Sequence, residues 1–280
     1  MACLLIYNGK NDSAHALLLE AARYIMYQGG EIAGSPEGYS IDQLYSTDMR
    51  IPGSCREALV FGGDGTLLAA VRRLSAYGIA VCGVNMGRVG FLSSIEREEL
   101  YTGIDRLLSG DYDVKSRMMI HCQVERNGQI VAEYDAFNDF VIRSGELSRA
   151  ISYSLDIDGQ HVNDYLADGV IISTPSGSTA YSFSAGGPIL MNDLQLLLIT
   201  PVCAQPLFSR SIIAAADSRA VVVCTGERDK PSLTADGQSC FSLQYHDRLL
   251  LSAAENSASI ICIWKENYFE RIKQKLYRKL

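Results

Sequence analysis

Residues 62 to 66 read Gly62-Gly63-Asp64-Gly65-Thr66, after the apolar run Ala58-Leu59-Val60-Phe61 and before Leu67-Leu68-Ala69-Ala70-Val71. That order is strand, glycine loop, helix. Such a junction suits phosphate: glycines let the backbone approach closely and take positive φ, and a helix start presents unpaired N–H groups at the positive end of its dipole. An aspartate inside an anion loop would repel phosphate, so Asp64 reads as a base, or as a group facing a hydroxyl or a magnesium ion. Thr66 is placed to cap the following helix, and the plainer alternative is a strand-to-helix turn with Asp64 as N-cap. Two familiar phosphate motifs are excluded: the third glycine of GxGxxG is missing, and no GxxxxGK followed by Ser or Thr occurs in the chain.

A second concentration of chemistry runs from Asp168-Gly169-Val170-Ile171-Ile172-Ser173 through Thr174-Pro175-Ser176-Gly177-Ser178-Thr179-Ala180-Tyr181-Ser182-Phe183-Ser184 to Gly186-Gly187-Pro188. It reads as a strand, a Thr-Pro-Ser-Gly turn and a short helix of small residues. Small residues let a ligand reach the backbone, and hydroxyls supply oriented donors and acceptors. Tyr181 can stack on a base or hydrogen-bond a sugar. The competing reading is an ordinary strand-to-helix turn with Ser178 as a cap.

The elements that must position these residues fall into two rhythms. Residues 1 to about 112 alternate strand and helix. Strands are expected at Cys3–Tyr7, Ala58–Phe61 and Ile79–Val84. Helices are expected at Ser13–Gln28, Thr66–Tyr77 and Glu96–Leu108, with stops at Gly29-Gly30 and near Gly110. Such alternation implies an α/β domain with a parallel sheet covered by helices, and ligands then bind beyond the carboxyl ends of the strands. From residue 113 to 264 the period is two: Met118–Glu125 meets Asn127-Gly128, and Ile151–Ile157 meets Asp158-Gly159, both hairpin signals. Further short strands at Val170–Ser173, Leu194–Thr200, Ala220–Thr225, Cys240–Leu243, Leu249–Ser252 and Ile260–Trp264 complete a mostly antiparallel β domain. A last helix, about 265 to 280, is expected to return to the first domain. Its Lys265, Arg271, Lys273, Lys275, Arg278 and Lys279 read as a solvated face.

Bulk properties narrow the class. The 280 residues, 48% hydrophobic and 20% charged, describe a globular chain, and a net charge of −7 argues against a nucleic-acid partner. Eight cysteines without a CxxC pair read as free thiols of a reducing cytoplasm, and four histidines without an HxxxH spacing argue against a zinc site. The first residues carry no charged leader, and no apolar run reaches the ~18 residues of a membrane span.

Taken in order, GGDGT, Gly83-Val84-Asn85-Met86-Gly87-Arg88-Val89-Gly90-Phe91-Leu92, Asn138-Asp139 and the run DGVIISTPSGSTAYSFSAGGPIL resemble the NAD kinase family over about residues 57 to 240. The last run is highly specific. GGDGT alone is shared with diacylglycerol and sphingosine kinases and, in near form, with phosphofructokinases. The resemblance implies an N-terminal α/β domain and a C-terminal β domain with the active site between them. It also implies phosphorylation of the 2′-hydroxyl of the adenosine ribose of NAD by ATP or polyphosphate, with a divalent cation such as Mg²⁺ carried by the phosphates. Asp64 matches the aspartate proposed to take the hydroxyl proton, and Gly62, Gly63, Gly65 and Thr66 match the loop that meets phosphates. Phe91 matches a residue lining the adenine side. Asn138 and Asp139 match an Asn-Glu pair whose asparagine reads the adenine edge. Asp168 matches an aspartate near the nicotinamide end, and Thr179, Ala180, Tyr181 and Ser184 match the wall of the NAD site. Asp236-Gly237-Gln238 resembles a late DGQ turn. A cytoplasmic homo-oligomer, dimer or tetramer, is implied too. The chain departs from the family at Asp139 (glutamate in the family) and at 163–167, where many members carry an arginine. It departs also at Ala204-Gln205-Pro206-Leu207, in place of Pro-His-Ser-Leu but with Arg210 kept, and at Val89, in place of leucine. A lipid kinase of the diacylglycerol type and a non-catalytic NAD(P)-binding regulator are the alternatives.

Overall fold

The computed structural model describes residues 2–87, 90, 92–145, 150–205, 210–265 and 267–277. They form two compact units, Met1–Ser116 with Ala258–Leu280, and Arg117–Ser257.

The first unit opens with β1 (Ala2–Tyr7) and α1 (Asp12–Tyr27), then β2 (Glu31–Ile32), β3 (Tyr39–Ser40), α2 (Ile41–Leu44) and β4 (Glu57–Gly62). After them come α3 (Asp64–Ser75), β5 (Ala80–Asn85), β6 (Ser93–Ile95), α4 (Leu100–Ser109) and β7 (Asp113–Arg117). Asn11 caps α1 by accepting from the Ala14 N–H at 3.2 Å, and the helix buries Leu17, Leu18, Ala21 and Ile25 at helical spacing. The expected helix from Glu96 is a 3-10 turn (Arg97–Glu99) followed by α4, because Glu96 and Glu99 form a capping box one turn ahead of it. Gly110, at φ +77, ends it. The short pieces β2, β3 and α2 carry too few residues to show a period.

The second unit is built of β8 (Ile120–Arg126), β9 (Gln129–Ala136), β10 (Asp139–Ser144), β11 (Ile151–Ile157), β12 (Gln160–Ala167) and β13 (Gly169–Ser173). There follow α5 (Tyr181–Ser184), β14 (Leu196–Val202), β15 (Ile212–Ala215), β16 (Ala220–Cys224), β17 (Pro231–Ala235), β18 (Ser239–Ser242) and β19 (Arg248–Ala253). Among the described residues these form two sheets of six strands, ordered β15-β14-β13-β10-β17-β18 and β12-β11-β16-β19-β8-β9. Phe140, Ile142, Val170, Ile172, Leu197 and Leu233 from the first sheet share one core with Cys122, Val124, Tyr153, Leu155, Val222 and Leu249 from the second. Period-two patterning is therefore what a sheet with one core face requires. Asn127-Gly128 and Asp158-Gly159 turn with both residues at positive φ, as do Asp236 and Gly237 between β17 and β18.

The chain then returns to the first unit through β20 (Ala258–Cys262) and α6 (Tyr268–Tyr277). The first sheet runs β2-β1-β4-β5-β20-β7, with β3 beside β1 and β6 beside β5; β1, β4, β5 and β20 are parallel. This corrects the sequence reading, which gave the strand near 260–264 to the β domain. Ile261 and Ile263 are buried among Leu59, Val84 and Ile104. A short apolar run does not reveal which sheet receives it. Strands β1 and β4 bury four and five consecutive residues, because helices cover both faces of a parallel sheet.

Asp247 is fully buried and accepts from Arg126 Nε at 2.8 Å and Nη2 at 2.7 Å, and from the Gln244 N–H at 2.8 Å. Removing the guanidinium strands a buried carboxylate. Arg126→Leu is expected to lower unfolding stability by about 3 kcal/mol in denaturant titration, more than any exposed pair such as Arg248–Glu125 contributes.

Candidate active site

Strand β4 ends at Gly62, and α3 starts one residue after Gly63, which is its N-cap at φ −94°, ψ −177° without a side-chain cap. Asp64 is the first helical residue, and Thr66 is buried in the first turn with its N–H on the Gly63 carbonyl at 3.0 Å. Neither Asp64 nor Thr66 is the cap, and neither Gly62 nor Gly63 takes positive φ, contrary to the sequence expectation. What the first glycine supplies is room: a Cβ at Gly62 would lie 2.6 Å from the Thr66 side chain. Gly63 and Gly65 are exposed, so the backbone around the half-buried Asp64 is open to a ligand.

The glycine-rich stretch after β5 lies beside this loop, because Gly62 and Asn85 are register partners. Asn85 is buried. Its Nδ2 donates to Glu96 Oε2 at 2.8 Å and to the Gly87 carbonyl at 3.3 Å, and its Oδ1 accepts the Gly87 N–H at 3.1 Å. Gly90 passes so close to the Asp64 carboxylate that any Cβ would collide with Oδ1. Ser93, whose hydroxyl lies 3.1 Å from that Cβ position, presents its carbonyl to Arg271 Nη2 of α6 at 2.7 Å. The terminal helix thus holds the segment that abuts Asp64. Phe91, with Arg88 and Val89, lies outside the described residues.

In the second unit a cavity of about 300 Å³ is lined by Asn138, Asp139, Val141, Arg143, Ala180, Tyr181, Thr234, Asp236 and Gly237. Strand alternation builds it: Asp139, Val141 and Arg143 face the cavity while Phe140 and Ile142 face the core. Asp236 accepts from three successive amides, Phe137 N at 3.1 Å, Asn138 N at 2.7 Å and Asp139 N at 3.2 Å. Its own N–H returns to the Asp139 carbonyl at 2.9 Å. Asp139 is only 4% exposed. Burial first, then the negative Asp236, pushes its carboxyl up to about 7, opposed by the Tyr181 N–H that it accepts.

The turn after β13 clamps the other side of the same backbone. Thr174 Oγ1 donates to the Phe137 carbonyl at 2.7 Å, and Thr174 N to the Asn138 carbonyl at 2.9 Å. Gly177 is pressed onto that Asn138 carbonyl with no space for a Cβ. Ser178 is not a helix cap: its Oγ donates to the Pro175 carbonyl at 2.7 Å and accepts the Leu190 N–H at 3.0 Å. The segment is a 3-10 turn, Ser176–Thr179, followed by one turn of helix, α5.

The ATP-NAD kinase N-terminal domain profile matches residues 9–112, and the ATP-NAD kinase C-terminal domain profile matches residues 137–263. The NAD kinase of Thermoanaerobacter sp. (strain X514) is 36% identical over 246 residues, 88% of this chain and 86% of that protein. The NAD kinase of Geobacter metallireducens is 39% identical over 230 residues, 82% of this chain and 81% of its own. The chain belongs to the ATP-NAD kinase family. Two solved structures share the fold, each at 21% identity. Yeast NADH kinase complexed with NADH has a TM-score of 0.80, covering 99% of this chain and 88% of its own. An Archaeoglobus fulgidus NAD kinase in complex with ATP has a TM-score of 0.76, covering 98% and 99%.

Of the candidates taken from the family motifs, Asn138, Asp139, Ala180 and Tyr181 share the cavity. Asp168, Thr179 and Ser184 do not line it: Asp168 and Ser184 are exposed, and Thr179 Oγ1 donates to the Ser176 carbonyl at 3.3 Å. Val141, Arg143 and Thr234 join the lining without having been singled out. Period two from Asp139 would have found the first two. Thr234 needed the pairing of β10 with β17, where it opposes Val141. Gly177→Ala sets a side chain against immobile backbone. It is expected to cost about 1–3 kcal/mol in unfolding and to lower ligand affinity, read together by melting temperature with and without NAD.

Proposed function

We propose that the protein is an NAD kinase, transferring the terminal phosphoryl group of ATP to the 2′-hydroxyl of the adenosine ribose of NAD to give NADP and ADP. The observation that carries this reading is the cavity in which Asn138 and Asp139, held by Asp236, meet Ala180 and Tyr181. The chain around it matches both domains of the family.

Phosphoryl transfer needs little covalent work from a protein; positioning and charge neutralisation dominate. In this reading Asp64 accepts the proton of the ribose hydroxyl as the new P–O bond forms. A carboxylate serves because the hydroxyl becomes acidic late in transfer. The exposed backbone at Gly63 and Gly65 and the first turn of α3 receive phosphate oxygens. Asn138 presents an amide, donor and acceptor together, to the adenine edge, and Tyr181, 41% exposed, offers a ring for stacking. A divalent cation, Mg²⁺ by preference, fits as a passenger of the ATP phosphates, since Asp64 is a hard oxygen donor beside an open glycine backbone. When bound it neutralises phosphate charge. Asp168, Thr179 and Ser184 are retained as outer contacts of the dinucleotide, and Phe91 as an adenine contact.

Among the described residues no helix is long and apolar enough to cross a membrane. We propose a cytoplasmic enzyme that assembles as a dimer or tetramer. Support for the compartment comes from its buried free thiols, Cys3, Cys55, Cys82, Cys122 and Cys224, with only Cys203 exposed among those described.

The test is NADP formation from NAD, Mg²⁺ and either ATP or polyphosphate. Asp64→Asn is expected to lower kcat by roughly 10²–10⁴-fold while calorimetric NAD affinity stays within about threefold. A variant with normal kcat would remove the base assignment. A wild-type protein that binds NAD or NADP without turnover would instead be a binding module. Gly90→Ala makes a separate prediction. The added methyl displaces the Asp64 carboxylate, the far end of a flexible side chain, so kcat should fall at least about tenfold. Its melting temperature should change little.

A further inference from the structure

The carboxylate at the β17–β18 turn accepts hydrogen bonds from the amides of residues 137, 138 and 139. We propose that Asp236 is a positioning residue: it fixes the backbone that carries Asn138 and Asp139, and thereby sets how the second unit holds the adenosine half of NAD. The proposal rests on the NAD kinase reading of that cavity.

Three observations support it. First, the amides of residues 137, 138 and 139 converge on one side chain at 3.1, 2.7 and 3.2 Å. These are the residues that lead into β10 and whose Asn138 and Asp139 line the cavity. Second, the bond from the Asp236 N–H to the Asp139 carbonyl at 2.9 Å makes the attachment reciprocal. Third, Asp236 sits at φ +51°, a conformation aspartate and asparagine tolerate and most side chains resist. The turn thereby holds the carboxylate under the amides.

The same placement sets the charge state of Asp139. The ionisable groups that line the cavity with it are Asp236 from the β17–β18 turn, Arg143 four residues along its own strand and Tyr181 from α5; β13 opposes it with the neutral Ser173. Three N–H donors stabilise the ionised Asp236, and that negative charge, added to burial, holds the Asp139 proton up to about pH 7. Near neutrality Asp139 is therefore shared between a carboxylate that accepts and a carboxyl that can also donate.

Asp236→Asn separates positioning from mere folding. Asparagine keeps the positive-φ turn and one acceptor oxygen but loses the charge and the second acceptor. KM for NAD is expected to rise about tenfold, with kcat falling less than about threefold, since ground-state recognition is what is lost. An inflection of NAD affinity near pH 7 is expected in the wild type and should move to lower pH in the variant, because removing a negative neighbour favours the ionised form of Asp139. A purely structural loss would reduce the active fraction and leave that inflection in place. The carboxyl ¹³C titration of Asp139, with and without the substitution, reads the coupling directly and needs no turnover. A folded Asp236→Asn protein with unchanged KM and unchanged Asp139 midpoint overturns the proposal. If the wild type makes no NADP, the kinase reading fails, and a shifted Asp139 midpoint still upholds the coupling. Should the variant not fold, hydrogen exchange on the wild type decides. NAD is expected to slow exchange of the 137–139 amides at least about tenfold, and no change overturns the assignment.

Discussion

A carboxylate is a multiple acceptor, and the half-buried Asp236 carboxylate is met by three backbone amides in succession. The elements around residues 137–139 meet these peptides from two sides. The β17–β18 hairpin brings the acid to the start of β10, and the Thr174–Gly177 turn closes on the carbonyl side of the same peptides. The segment 137–139 is thus held from its N–H side by Asp236 and from its C=O side by Thr174. The Asn138 and Asp139 side chains line the cavity beside that pinned backbone. Asp139 is the buried one of the two acids, and burial together with the negative Asp236 beside it raises its carboxyl to about 7.

The first unit obeys a different constraint. A parallel sheet buried on both faces can present chemistry only where its strands end, so β4 delivers Gly62-Gly63-Asp64 at its carboxyl edge. Asp64 is then confined from one side by Gly90, whose missing side chain leaves the space the carboxylate occupies. The segment carrying Gly90 is braced twice, by the buried Asn85 amide near its start and by Arg271 on the Ser93 carbonyl near its end. A residue almost at the end of the chain therefore helps to hold a loop near position 90. The reason is topological: β20 inserts beside β5 and carries α6 with it.

Much of this was legible from residue types alone. Asn127-Gly128 and Asp158-Gly159 demand positive φ and turned as hairpins. The stripe Leu17, Leu18, Ala21, Ile25 made a helix where its spacing required one. Strands β9 and β12 were not legible because their exposed or mixed positions blur the alternation that a clean core face would show, and β10 because its four consecutive buried residues show no alternation at all. Asp236 resembled a family motif, but nothing in Asp-Gly-Gln says that the aspartate serves residues almost a hundred positions earlier.

By itself the sequence determined the two rhythms, the glycine loop after a buried strand, the turn residues and the family to which they belong. These are local properties, carried by backbone preference and periodicity over a few residues. Tertiary structure alone decided that β20 completes the first sheet, that Gly63 and not Asp64 or Thr66 caps α3, and that Asp168, Thr179 and Ser184 stand outside the cavity. It alone placed Asp236 beneath Asn138 and Asp139. All but the Gly63 cap depend on which distant strands become neighbours. Strand pairing is chosen by the burial of whole faces, a global quantity that no short window of residues contains.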